Sequence, residues 1–228
     1  MKSDRNNEIA RVCSCLLMFK PSPFGNDLSW FEQADFESAH LTQLTALPAI
    51  NPKEDLEQLN PAKHGMWLMY VLDAGEDKLF LNFWTAMTSA DWPKNLTAAA
   101  QRLIRAQRRR GFDRDEDRLI DLIIAFEALV LNKNEHGKQK QMSSRFSNLI
   151  GGRQKQQIKD DLSLAYDLRN DAVHDGYFDS KNVAQIPNYP MQIPTFIMNV
   201  ERYLREGMKN YVALNNKGQS KDQIIASL

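Results

Sequence analysis

The stretch DRDEDRLIDLIIAFEALV, residues 113–130, decides the fold class. Leu119, Leu122, Ile123, Phe126, Leu129 and Val130 recur at three- and four-residue intervals. On a period of 3.6 that spacing makes one broad apolar face, so the helix it predicts is central to a core. Asp113 stands as N-cap with Glu116 three residues on, close to a capping box. Acidic side chains crowd the first turn, where the helix dipole favours them.

The pattern continues on both sides. Upstream, Leu96 to Gln107 is a helix-forming run with Ala99, Leu103 and Ala106 on one stripe, ended by Gly111. Downstream, a polar loop from Asn132 to Gly137 leads to a helix over Gln139–Ile150, which Gly151-Gly152 breaks. The next helix, Gln154–His174, would bury Ile158, Leu162, Ala165, Leu168 and Ala172, and Gly176 stands just past its end as a C′ residue. A loop punctuated by Pro187, Pro190 and Pro194 precedes a last helix over Thr195–Leu214. Residues 94–228 therefore predict a bundle of about five helices without an internal repeat.

Residues 1–93 have a different texture. Six of the nine prolines fall here, and the apolar stretches between them are short. MWLMYVL (66–72) and LFLNFWTAM (79–87) flank a polar segment, Asp73 to Lys78, that contains a glycine. This reads as two strands and a hairpin-like connection. Ile9 to Phe19 fits a strand or a helix, and periodicity does not decide between them. The expected fold is mainly α, with a partly β α+β module over 1–93 packed on the bundle, since neither apolar stretch can bury itself alone.

Composition bounds the function. The chain has 228 residues, 43% hydrophobic and 25% charged, enough for one sizeable domain or two small ones. Lys+Arg and Asp+Glu both total 29, which argues against a uniformly basic surface that coats duplexes. Residues 1–90 hold 7 basic side chains against 12 acidic, and residues 91–228 hold 22 against 17. An anionic ligand should prefer the back half. Cys13 and Cys15 stand too close for an unstrained disulfide, and with scattered His40, His64 and His136 they do not make four metal ligands. They read as reduced core cysteines of a cytosolic protein, with no metal and no cofactor expected. No signal-peptide pattern and no apolar run of membrane length appears, so the expectation is a soluble, cytoplasmic chain without a membrane partner.

Two clusters carry candidate chemistry. Arg102, Arg105 and Arg109 share a helix face opposite the alanine–leucine stripe. They fit either a solvated face with cations near a helix C-terminus or a patch that contacts the phosphates of RNA. The second cluster is Arg169-Asn170-Asp171-Ala172-Val173-His174 at a helix end. Asn170 and Asp171 lie one turn before His174, so either can reach the ring and fix its tautomer. Arg169 and His174 at this spacing fit capping and salt-bridge roles as well as catalysis. Tyr166 shares the Arg169 side, where it packs on the guanidinium or stacks a base. Glu127, set among apolar residues, needs a partner, and Arg145 is the expected one in a structural ion pair.

Taken together, residues 117–129 with Glu127-Ala-Leu, Ser144-Arg-Phe, residues 165–176 and a closing helix with Glu201-Arg-Tyr-Leu-Arg resemble the HEPN superfamily. The closer likeness is to the Apea-like HEPN group, with its Y-x-x-R-x-x-x-x-H helix end, over roughly residues 100–214. Two positions depart from that group's common R-S-x-I-V-H-G: Asn170 follows the arginine, as in catalytically competent HEPN proteins, and Asp175 precedes Gly176. The resemblance implies a metal-independent endoribonuclease of a bacterial defence or toxin–antitoxin system, working as a homodimer. His174 and Arg169 would be catalytic, supported by Asn170, Asp171 and Tyr166, and an antitoxin or defence-system protein would be a further partner. The alternative it implies is a non-catalytic HEPN module that binds RNA, a nucleotide or a protein, or serves only to dimerise.

Overall fold

A computed structural model describes residues 15, 18, 19, 76–109, 115–186 and 193–228. The described residues are mainly helical and contain no strand. The elements are α1 (Glu76–Thr88), α2 (Lys94–Arg108), α3 (Asp115–Val130), α4 (Lys138–Ile150), α5 (Lys155–Asp175), α6 (Ser180–Val183), α7 (Ile193–Asn215) and α8 (Lys221–Ala226). The five long helices from α2 to α7 match the five expected ones within about two residues at each end, the usual scatter of helix boundaries. The short α6 and α8 were not expected. Asp113, the expected N-cap of α3, lies outside the described residues.

α3 is the hub of the bundle. It packs against α2, α4, α5, α7 and α8. Its apolar face is buried as its spacing demands, through Leu119, Leu122, Ile123, Phe126, Leu129 and Val130. Phe126 meets Phe146 of α4 edge-on with ring centroids 4.3 Å apart. The stripe of α2 faces the same core through Leu96, Ala99, Leu103 and Ala106, and α5 adds Ile158, Leu162, Ala165 and Leu168. Cys15 and Met18 are buried in this cluster too.

Residues 79–87 form no strand; they lie within helix α1. Phe80, Phe83, Trp84 and Met87 recur at helical spacing and turn toward the core, while Leu79 and Leu81 stay exposed. Glu76 and Asp77, read as part of a hairpin connection, instead form the acidic first turn that a helix N-terminus favours. The proposed partner strand, 66–72, lies outside the described residues. α1 is held to α7 and its following turn: Asn216 donates to the Ala86 carbonyl and Asn215 to that of Asp91.

Two buried polar clusters tie the bundle together. Asp121 of α3, 2% exposed, accepts from Arg102 at 2.7 Å and pairs with Arg109 at 3.0 Å. Glu201 of α7 is fully buried between Arg118 of α3, at 2.7 Å, and Arg205 one turn along α7. Burial pulls the Arg205 pKa below its ordinary value, against the opposing pull of the Glu201 charge.

Candidate functional site

The end of α5 gathers the candidate residues. The helix runs 21 residues and stops where Gly176 adopts φ 81°, a left-handed conformation that glycine takes without a Cβ penalty. The Gly176 amide donates back to the Ala172 carbonyl at 3.1 Å. His174 sits in this last turn and is exposed, between exposed Val173 and, past the turn, exposed Tyr177.

Arg169 lies half-buried one and a half turns earlier. Its guanidinium stands 4.0 Å from the Glu127 carboxylate of α3 and donates to the Asn170 side-chain oxygen at 3.0 Å. It also lies over the Tyr166 ring, 5.6 Å from the centroid. The Tyr166 hydroxyl donates to Glu127 at 3.2 Å. Burial first, then the Glu127 charge and this hydrogen bond, push the Tyr166 phenol above its ordinary range. Glu127, Tyr166 and Arg169 thus form one cluster across α3 and α5.

The expected Glu127–Arg145 pair does not form. Arg145 of α4 turns to the loop after α3, pairing with Glu135 at 2.5 Å and donating to the Val130 carbonyl at 3.0 Å. The physical reason is the helix end. The last carbonyls of α3 lack intrahelical partners and carry the negative end of the dipole, which attracts cations. Lys221 joins Arg145 there, donating to the carbonyls of Ala128 and Leu131. Glu127 faces α5 and is met by Arg169.

Asn170 and Asp171 also differ from expectation, because neither is hydrogen-bonded to His174. Asn170 accepts from Arg169. Asp171 accepts from the Asp179 amide at 3.1 Å and the Asn182 amide side chain at 2.8 Å, which folds α6 back against the end of α5. Among the described residues nothing is hydrogen-bonded to the imidazole of His174.

The basic face of α2 divides. Arg102 and Arg109 clasp Asp121, because a carboxylate buried between two helices needs partners. Arg105 alone is exposed and makes no ion pair among the described residues. The triad of Arg118, Glu201 and Arg205 had only a partial signal in the sequence: Glu201 and Arg205 are one turn apart, but Arg118 lies 83 residues from Glu201.

Among the described residues no group of three His, Cys, Asp or Glu side chains is placed to hold a metal, and no helix is long and apolar enough to cross a membrane. No protein-family model, no curated protein and no solved structure matches the chain.

Proposed function

We propose that this chain is a HEPN-type, metal-independent endoribonuclease of a bacterial defence or toxin–antitoxin system, cytoplasmic and active as a homodimer. The observation that carries the reading is the end of α5: His174 exposed in the last turn, and Arg169 held at the surface by Glu127, Tyr166 and Asn170. An imidazole can take and return protons, and a fixed guanidinium can stabilise charge that develops on a phosphorane. In the reaction, His174 takes the proton of the ribose 2′-OH as that oxygen bonds to phosphorus. The bond to the 5′-oxygen breaks, leaving a cyclic phosphate, and the 5′-oxygen takes a proton from a second acid.

Among the described residues of one chain, His174 is the only histidine at this helix end. Arg169 and His174 are about 7.5 Å apart along the helix axis and roughly 140° apart around it. A two-fold axis at the end of α5 supplies the second acid as the partner subunit's His174. Val173 and Tyr177, 51% and 63% exposed, present apolar surface beside His174 that such a dimer would cover.

A second reading draws on one observation. Glu127 already stands opposite Arg169, so an RNA phosphate must compete with a carboxylate for the guanidinium. That favours a HEPN module that binds without cutting. RNA cleavage in excess EDTA separates the two, with wild type, His174→Ala and Arg169→Ala compared and each melted. Cleavage that withstands EDTA and falls by about two to four orders of magnitude in each variant is expected. Cleavage lost with EDTA, or kept by both variants, overturns the proposal. RNA binding without cleavage establishes the second reading.

A further inference from the structure

The loop from α3 to α4 and the first turn of α4 carry the sequence NKNEHGKQK, residues 132–140. The one carboxylate of this stretch turns inward. Glu135 pairs with Arg145 at 2.5 Å and accepts from the Asn132 amide at 3.0 Å, which pins the loop to the bundle. The basic side chains turn outward. Lys133, His136, Lys138 and Lys140 are all exposed, and none makes an ion pair or a side-chain hydrogen bond among the described residues.

Stability does not account for this arrangement. Lys138 and Lys140 stand in the first turn of α4, which has no acidic residue. The helix dipole opposes cations there, and α1 and α3 place acids at the same position. A local rule broken without a compensating contact is a mark of function. The neighbours of the loop say which function. Gln139 donates to the Ser163 carbonyl and to Asp167, so the start of α4 lies along the C-terminal half of α5. Asp167 precedes His174 by two turns of helix, about 10 Å. The loop itself continues from the last turn of α3, which carries Glu127, the partner of Arg169. On this half of α5, Asp167 is engaged by Gln139 and Asp171 by Asp179 and Asn182, which leaves Asp175 as the exposed carboxylate.

We propose that this loop docks the phosphate backbone of an RNA strand and leads it to the His174 end of α5. The inference rests on the ribonuclease reading for the identity of the strand. A strand carries one phosphate per about 3.4 Å of axis, so the distance from the start of α4 to His174 spans about three. Lysines that meet phosphates position a strand without reading its bases. The exposed His136 ring adds a face on which a base can stack.

Fluorescence anisotropy of the full chain with a labelled 2′-O-methyl RNA oligonucleotide tests this. The probe keeps its phosphates and lacks the nucleophile, so binding is read apart from cleavage. The loop variant combines Lys133→Gln, Lys138→Gln and Lys140→Gln. A control of equal charge combines Arg153→Gln, Lys155→Gln and Arg202→Gln, exposed cations around the start of α5. Each phosphate contact on a single strand adds about 0.7 to the slope of log affinity against log salt. Losing three should lower the slope by about 2 and weaken binding about a hundredfold at about 0.1 M salt. The control should bind as wild type does. RNA cleavage by the loop variant should show a raised KM with kcat kept, since Arg169 and His174 are untouched. The changed side chains are exposed, so all three proteins should melt alike. If the loop variant melts lower, Lys133→Gln, which lies outside the helix, replaces it, with about a fivefold loss expected. Three results overturn the proposal: a wild type that does not bind the probe, a loop variant that binds as wild type does, or a control that loses as much as the loop variant. Loop-dependent binding in a protein that cuts no RNA overturns the ribonuclease reading and leaves the docking loop standing.

Discussion

Gly207 of α7 is the point where two helices approach too closely for any side chain. A Cβ there would come within 2.1 Å of Phe146 Cζ and 2.2 Å of its Cε1. The ring has nowhere to retreat, being fully buried and already edge-on against Phe126. Overpacking of this kind costs about 1–3 kcal/mol, and so rigid a site belongs near the upper end. Alanine recovers about 1 kcal/mol of that because it is the better helix former. Gly207→Ala should therefore lose about 2 kcal/mol, which for a chain of this size lowers the melting temperature by roughly 4–8 °C. Circular dichroism melts of the single variant and of Gly207→Ala with Phe146→Leu check the cause. The smaller leucine leaves room for the methyl, so the double variant should lose less than the two single losses added. A Gly207→Ala protein that melts at or above wild type refutes the packing argument.

Two other outcomes follow from the buried charges. Glu201→Gln removes the carboxylate between Arg118 and Arg205 and strands two buried cations, so urea unfolding should show a loss of about 3–5 kcal/mol. Glu135 is held below its ordinary pKa of 4.5, chiefly by its hydrogen bond from Arg145. Because the folded value is the lower one, its stabilisation is present above pH 4.5 and is lost as pH falls through the folded value. Melting temperatures of wild type should fall more steeply below pH 4.5 than those of Arg145→Gln, and equal slopes would contradict the pairing.

The long helices were legible because their apolar residues repeat at one period over many turns, as Leu119 to Val130 do. Residues 79–87 were not, because a short run dense in aromatic and aliphatic side chains satisfies strand and helix templates alike. The aromatic spacing that settles it, Phe80, Phe83, Trp84 and Met87, becomes decisive only when the acidic pair Glu76 and Asp77 is taken as a helix start. The candidate residues on α5 could be listed from the sequence, but their partners could not. Whether Glu127 meets Arg145 or Arg169 depends on how α3 is rotated against its neighbours, and residue spacing within one helix does not define that rotation.

The two hydrogen bonds accepted by Asp171 have a consequence for the neighbouring imidazole. Had that carboxylate faced His174, the ring would have been oriented before any encounter. Both bonds fall on one oxygen, Oδ2, which is shared by Asp179 and Asn182, and among the described residues no hydrogen bond orients the imidazole. Whatever eventually fixes it must offset an ordering cost of roughly 0.5–1.5 kcal/mol, the range for one side chain immobilised at an interface. The helix end is tied to α6 through Asp171 while no described group ties its terminal ring, so a bound RNA or partner would have to supply that alignment itself.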